Sequence, residues 1–130
     1  MLTRALEVSN YSADPSTKVG CVVVRGHEIV AEGYNRFPTP MIESAEMLND
    51  RPTKYKYMVH AEVAAISGMD VAGCTVYVTH MPCVGCAGKL AAAGVQSVVI
   101  IDRPSDARWQ EQHEQAERLL AAHGITVVHQ

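Results

Sequence analysis

The chain has 130 residues, a length that suits one packed domain. Hydrophobic residues make up 48% of it and charged residues 19%, which excludes wholesale disorder. Lys and Arg total 11 against 14 Asp and Glu, a formal net charge of -3, so the broad basic field of a polynucleotide binder is missing.

The first element expected is an amphipathic helix over 2–12, with Leu2, Leu6 and Val8 turned inward and Asp14-Pro15 as its stop. A β-branched run over 19–24, the turn Arg25-Gly26-His27-Glu28 and a second run over 29–34 read as a hairpin. From 36 to 58 the pattern breaks at Pro38, Pro40 and Pro52, although 42–49 suits a short helix; an insertion of that length in a small domain is usually functional or mobile. A helix over 60–68 ends at Gly68, and 75–79 is a strand. A helix over 83–93 ends at Gly94, and 97–101 is a further strand. Residues 106–123 form a long helix with Trp109, Ala116, Leu119 and Leu120 on one side, and 125–129 is the last strand. Helical connections between the last three strands imply parallel crossovers. The order αββαβαβαβ predicts an α/β protein with a five-stranded mixed sheet and helices on both faces, all in one domain over 1–130.

No apolar run is long enough to cross a bilayer, and Met1-Leu2-Thr3-Arg4 lacks the layout of a secretory signal. A cytoplasmic location with no membrane partner is therefore expected. In a reducing compartment Cys83 and Cys86 read as metal thiolates rather than a disulfide, while Cys21 and Cys74 read as buried core.

His60-Ala61-Glu62 and Pro82-Cys83-Val84-Gly85-Cys86 carry the chemistry. One imidazole and two closely spaced thiolates can hold Zn²⁺ through three protein ligands, which leaves a fourth position for water. Both motifs open helices, where the partial positive charge favours thiolate. Glu62 lies where a carboxylate can exchange a proton with that water. A Cys-x-x-Cys by itself is often a structural zinc knuckle or a redox pair. Cys74 or His80 would have to complete a closed site, and neither shares a recognisable spacing with the pair; a redox pair leaves His60 and Glu62 unexplained. His80 is either a solvated loop residue or a substrate contact at the pocket rim. Trp109 reads as core or interface rather than a base-stacking platform. Lys54-Tyr55-Lys56-Tyr57 is either a solvated edge or a phosphate contact, and His27, His113, His123 and His129 read as surface.

The ordered motif His-x-Glu then Pro-Cys-x-x-Cys resembles the signature of zinc nucleobase deaminases. Asp14-Pro15 with Val19-Gly20, Gly33-Tyr34-Asn35, Lys54-Tyr55 with Tyr57, and Ala93-Gly94-Val95 extend the likeness over most of the chain. It resembles the cytidine/deoxycytidylate deaminase superfamily, most closely the deoxycytidylate (dCMP) deaminase family. The resemblance implies a three-layer α/β/α fold, a homo-oligomer, a small-molecule nucleotide or nucleobase substrate, and hydrolysis of dCMP to dUMP by zinc-activated hydroxide. Carried over by position, His60, Cys83 and Cys86 would bind zinc and Glu62 would shuttle protons. Asn35 would hydrogen-bond sugar or base, and the Ala61 N–H would face the base carbonyl. The chain departs from the family pattern at Arg36, where Gly-Tyr-Asn is often followed by glycine, at Ala64, often asparagine, and at Asn10-Tyr11, where basic residues are common. Arg36 or Lys56 would then have to serve a 5′-phosphate. A nucleoside, a free or modified base or another aminated heterocycle stays open as substrate, as does a non-catalytic zinc-stabilised interaction module.

Overall fold

In the computed structural model, which describes residues 1–38, 43–101 and 107–130, alternation along the first strand decides the layering. Cys21–Val24 are all buried, Val22 and Val24 against one layer and Cys21 and Val23 against the other. A strand covered on both faces reads as this continuous apolar run. That strand, β1 (Gly20–Arg25), turns at Gly26, whose φ of +62 suits glycine, into β2 (Glu28–Tyr34). On its other side β1 pairs antiparallel with β3 (Thr75–Val78). β4 (Ser97–Ile100) and β5 (Thr126–His129) follow in parallel, for the order β2-β1-β3-β4-β5. The expected five-stranded mixed sheet and its parallel half are both present.

One helix covers one face. α1 (Leu2–Ser9) lays Ala5 and Val8 on Val22 and Val24. Val8 is inward as expected, whereas the rest of the expected face is corrected: Leu6 is 39% exposed and Leu2 is half-buried. Ala5 and Val8 are three residues apart and share a stripe, whereas Leu6 is rotated off it. Gly20 permits the close approach: a Cβ there would lie 2.0 Å from the Ala5 carbonyl oxygen.

α4 (Ala61–Ile66), α5 (Val84–Ala92) and α6 (Ala107–Ala122) cover the other face. Ala61, Ala65, Leu90, Ala116 and Leu120 pack there with Cys21, Val23, Val76, Val78, Val98 and Ile100 as the main core. Cys74 belongs to the same core, as expected. Among the described residues no helix is long and apolar enough to cross a membrane.

Residues 36–58 hold more structure than the prolines suggested. α2 (Ala45–Asn49) starts at Ser44, whose hydroxyl accepts the Met47 N–H at 3.2 Å; Ile42, where this helix was expected to begin, lies outside the described residues, as does Asp106 at the expected start of α6. α3 (Arg51–Tyr57) was not expected at all. Pro52 sits in its first turn, where a missing N–H breaks no helical bond, so the proline starts a helix instead of interrupting one. Arg36 and Val59 then pair antiparallel, with N···O distances of 3.0 and 2.7 Å, and close the insertion immediately before His60.

Candidate active site

α4 and α5 pack side by side on the sheet, and each begins with a motif residue. His60 is the N-cap of α4, and Cys83 is the N-cap of α5, where its sulfur accepts the Cys86 N–H at 3.4 Å. The two helix starts converge. His60 Nδ1 lies 3.3 Å from Cys86 Sγ and 3.6 Å from Cys83 Sγ, and the three ligand atoms all fall within 4.8 Å of one another. Nitrogen and sulfur on one tetrahedral zinc, at about 2.0–2.1 and about 2.3 Å from the metal, sit about 3.6 Å apart. The donor set therefore fits that ion. Among the described residues the cluster has three members, and neither Cys74 nor His80 joins it. Among the described residues the closed four-ligand arrangement of a structural knuckle is not formed.

The Cys83 thiol is pushed down to about 3, first by hydrogen bonding from Cys86 and then by His60. Cys86, holding the proton toward Cys83, is pushed up. His60 is raised, chiefly by its hydrogen bond to the Cys83 sulfur. Glu62 is 4% exposed, and burial raises its carboxyl above the ordinary range although its own backbone N–H and Cys86 bond to it. Beneath it the Cys21 thiol is raised by burial and by the charge of Glu62, which keeps that thiol inert.

A cavity of about 1240 Å³ opens over these groups, with His60, Ala61, Glu62 and Cys83 in its wall. That is larger than a typical pocket shaped to a single small molecule. Of the expected substrate contacts, Asn35, Ala61 and His80 line it. Arg36 and Lys56 do not: Arg36 is held in the bridge to Val59, and the Lys56 ammonium lies 5.8 Å from the Tyr57 ring centroid. Lys54, two residues before Lys56 and so turned to the other side of the helix, faces the cavity instead. Asn35 is buried and clamps the preceding loop, its Oδ1 accepting the Val19 N–H at 2.9 Å and its Nδ2 donating to the Thr17 carbonyl at 2.8 Å. One Nδ2 hydrogen remains for a ligand. Trp109 is 43% exposed and lines the groove, which places it outside the core.

Sequence reading missed the pair Asp14–Lys54. Lys54 Nζ lies 3.1 Å from Asp14 Oδ1, and both side chains are largely buried within the cavity wall. Asp14 read as a helix stop and as part of a family landmark, not as an ion-pair partner, and nothing in Lys54-Tyr55-Lys56-Tyr57 distinguishes the lysine that turns inward until the helix phase is known.

The sequence model for the cytidine and deoxycytidylate deaminase zinc-binding region matches residues 1–102. An uncharacterized deaminase from the luxG 3′ region of Aliivibrio fischeri is 35% identical over 124 residues, covering 92% of this chain and 84% of that protein. Mus musculus deoxycytidylate deaminase is 38% identical over 120 residues, covering 84% of this chain and 65% of the mouse enzyme. The dCMP deaminase of cyanophage S-TIM5, solved in complex with dCMP and dUMP, superposes with a TM-score of 0.77 at 25% identity over 99% of this chain and 93% of its own. The chain belongs to the cytidine and deoxycytidylate deaminase family, a family of zinc-binding deaminases, and it is an enzyme of that class.

Proposed function

We propose that the chain converts dCMP and water to dUMP and ammonia. The observation that carries this reading is Glu62, buried in the cavity wall beside a three-ligand metal cluster. His60, Cys83 and Cys86 would hold zinc, which when bound supplies Lewis-acid activation of water. The rest falls to the protein. Water adds to the ring carbon that bears the amino group. Glu62 takes one proton from that water and passes it to the adjacent ring nitrogen. The second water proton goes to the amino nitrogen, the carbon–nitrogen bond breaks, ammonia leaves and the carbonyl forms. The Ala61 N–H, at the start of α4, would donate to the carbonyl oxygen the base already carries, and the remaining Asn35 Nδ2 hydrogen would orient sugar or base. Relatives named deoxycytidylate deaminase and the dCMP and dUMP bound to the cyanophage enzyme support the choice of substrate.

One observation favours a second reading, an uncharged nucleoside or base. Arg36 and Lys56 are off the groove, and the charge of Lys54 is used on Asp14. Ammonia release by zinc-loaded protein from dCMP, deoxycytidine, cytosine and other aminated heterocycles decides between them. A strong preference for dCMP is expected; equal or reversed preference rejects the nucleotide assignment. The same reading takes 1–130 as one deaminase domain, cytoplasmic and working as a homo-oligomer, and a monomeric sedimentation profile at micromolar concentration would contradict the last point.

A further inference from the structure

Part of the groove wall is held by very little apolar packing. Within 36–58 the buried hydrophobic residues among those described are Phe37 and Leu48, both upstream of α3, and α3 itself buries none. Yet Arg51, Lys54 and Tyr55 of α3, with Met58 at its C-cap, line the groove beside His60 and Glu62. Among the described residues, two attachments beyond its neighbour α2 locate the helix. The Arg36–Val59 bridge lies just past its C-terminal end, and the Lys54–Asp14 pair grips its middle.

Asp14 is itself a fixed point. Its Oδ1 accepts the N–H of Ser16 at 2.9 Å and of Thr17 at 3.3 Å. The loop carrying it is tied to the end of β2 by Asn35, through Val19 N–H and the Thr17 carbonyl, and by the Ser12 hydroxyl donating to the Asn35 carbonyl at 2.9 Å. Lys54 is the long arm that reaches this anchor, with a side chain 12% exposed against 5% for Asp14. A pair of charges taken out of water adds little net stability over apolar packing, and its best-attested use is to fix one arrangement among several.

The geometry points to Asp14 and Lys54 as a positioning pair that holds α3 in register as the substrate-facing wall and so sets substrate fit without touching the reacting atoms. This rests on the reading that the groove over the metal cluster is where substrate binds. The test compares Asp14→Asn, Lys54→Met, the double variant and Lys54→Arg, each with its zinc content measured. Asp14→Asn keeps an oxygen for the Ser16 and Thr17 amides, so it removes the carboxylate charge that holds Lys54 with least damage to the loop. Each single variant is expected to raise KM about tenfold with kcat changed less than about threefold, as for lost uniform binding. The double variant should be no worse than the worse single, because both remove one shared contact. Lys54→Arg should recover most of the loss, and zinc content should match the original chain. Amide hydrogen exchange over 51–58 should quicken in both single variants, with 84–92 unchanged.

Additive losses in the double variant, zinc loss, or unaltered exchange over 51–58 would overturn the proposal. So would a Lys54→Met defect confined to dCMP, with deoxycytidine turnover untouched and Asp14→Asn silent, since Lys54 would then be a direct contact to the phosphate. If the unmodified chain releases ammonia from no substrate, the proposed function fails, while the exchange measurement still decides the pair.

Discussion

Glu62 illustrates how a helix start changes what spacing means. In a helix interior, residues two apart point to different sides. At the first turn of α4 the N-cap His60 and Glu62 both border the space over the helix end, and Glu62 is buried there while His60 reaches the sulfurs. Burial holds its carboxyl above the ordinary range, which suits the proton shuttle proposed for it. Glu62→Gln preserves shape and removes that exchange. Ammonia release is expected to fall by about 10²–10⁴-fold with zinc retained. An unchanged rate in the metal-loaded variant would take Glu62 out of proton transfer.

The seat of α4 on the sheet belongs to the element scale. Gly33 in β2 has no side chain, and a Cβ built there would come within 2.4 Å of the Ala65 nitrogen and 2.6 Å of the Ala61 carbonyl oxygen. Those neighbours are backbone and have nowhere to swing, so the whole helix would have to lift, carrying His60 and Glu62 with it. Gly33→Ala is expected to cost about 1–3 kcal/mol, the range for overpacking a tight core. Denaturant titration measures the loss, and it should come with reduced turnover. A variant of full stability and full activity would show that α4 does not depend on this close approach. The same scale explains α3. Its Pro52 and its two lysines are ambiguous in a linear string, because whether a proline starts or breaks a helix, and which lysine turns inward, depends on where the first turn falls.

At the scale of the molecule, the layer of α1 is joined to the edge strand β2 by Arg4, which holds both carboxylate oxygens of Glu32, one through Nη2 at 3.0 Å. The hydrogen bond from Arg4 keeps the Glu32 carboxyl below its usual range. A lowered carboxylate contributes stability above its unfolded pKa of about 4.3 and loses it as pH falls through the folded value. The melting temperature of Glu32→Gln should therefore lie below that of the original chain at neutral pH, and the two should converge in acid below about pH 4. A constant gap across that window would show the pair to be screened away.

The element order along the chain, the parallel half of a two-faced sheet and the three metal-ligating residues were legible in the linear sequence, because each depends on local signals: β-branched runs, helix-length crossovers, and ligand side chains at helix starts. Asp14 with Lys54, the outward turn of Lys56 and Leu6, and the exposed Trp109 were not. These depend on the phase of short helices and on which distant loop lies opposite. The sheet brings Asp14 to Lys54 across the chain, and no local rule encodes that meeting. Sequence thus determined the kind of reaction centre, through donor atoms whose chemistry survives any packing. Tertiary structure alone decided the walls of the groove, because a charge becomes a contact, an anchor or a bystander only when another element is placed against it.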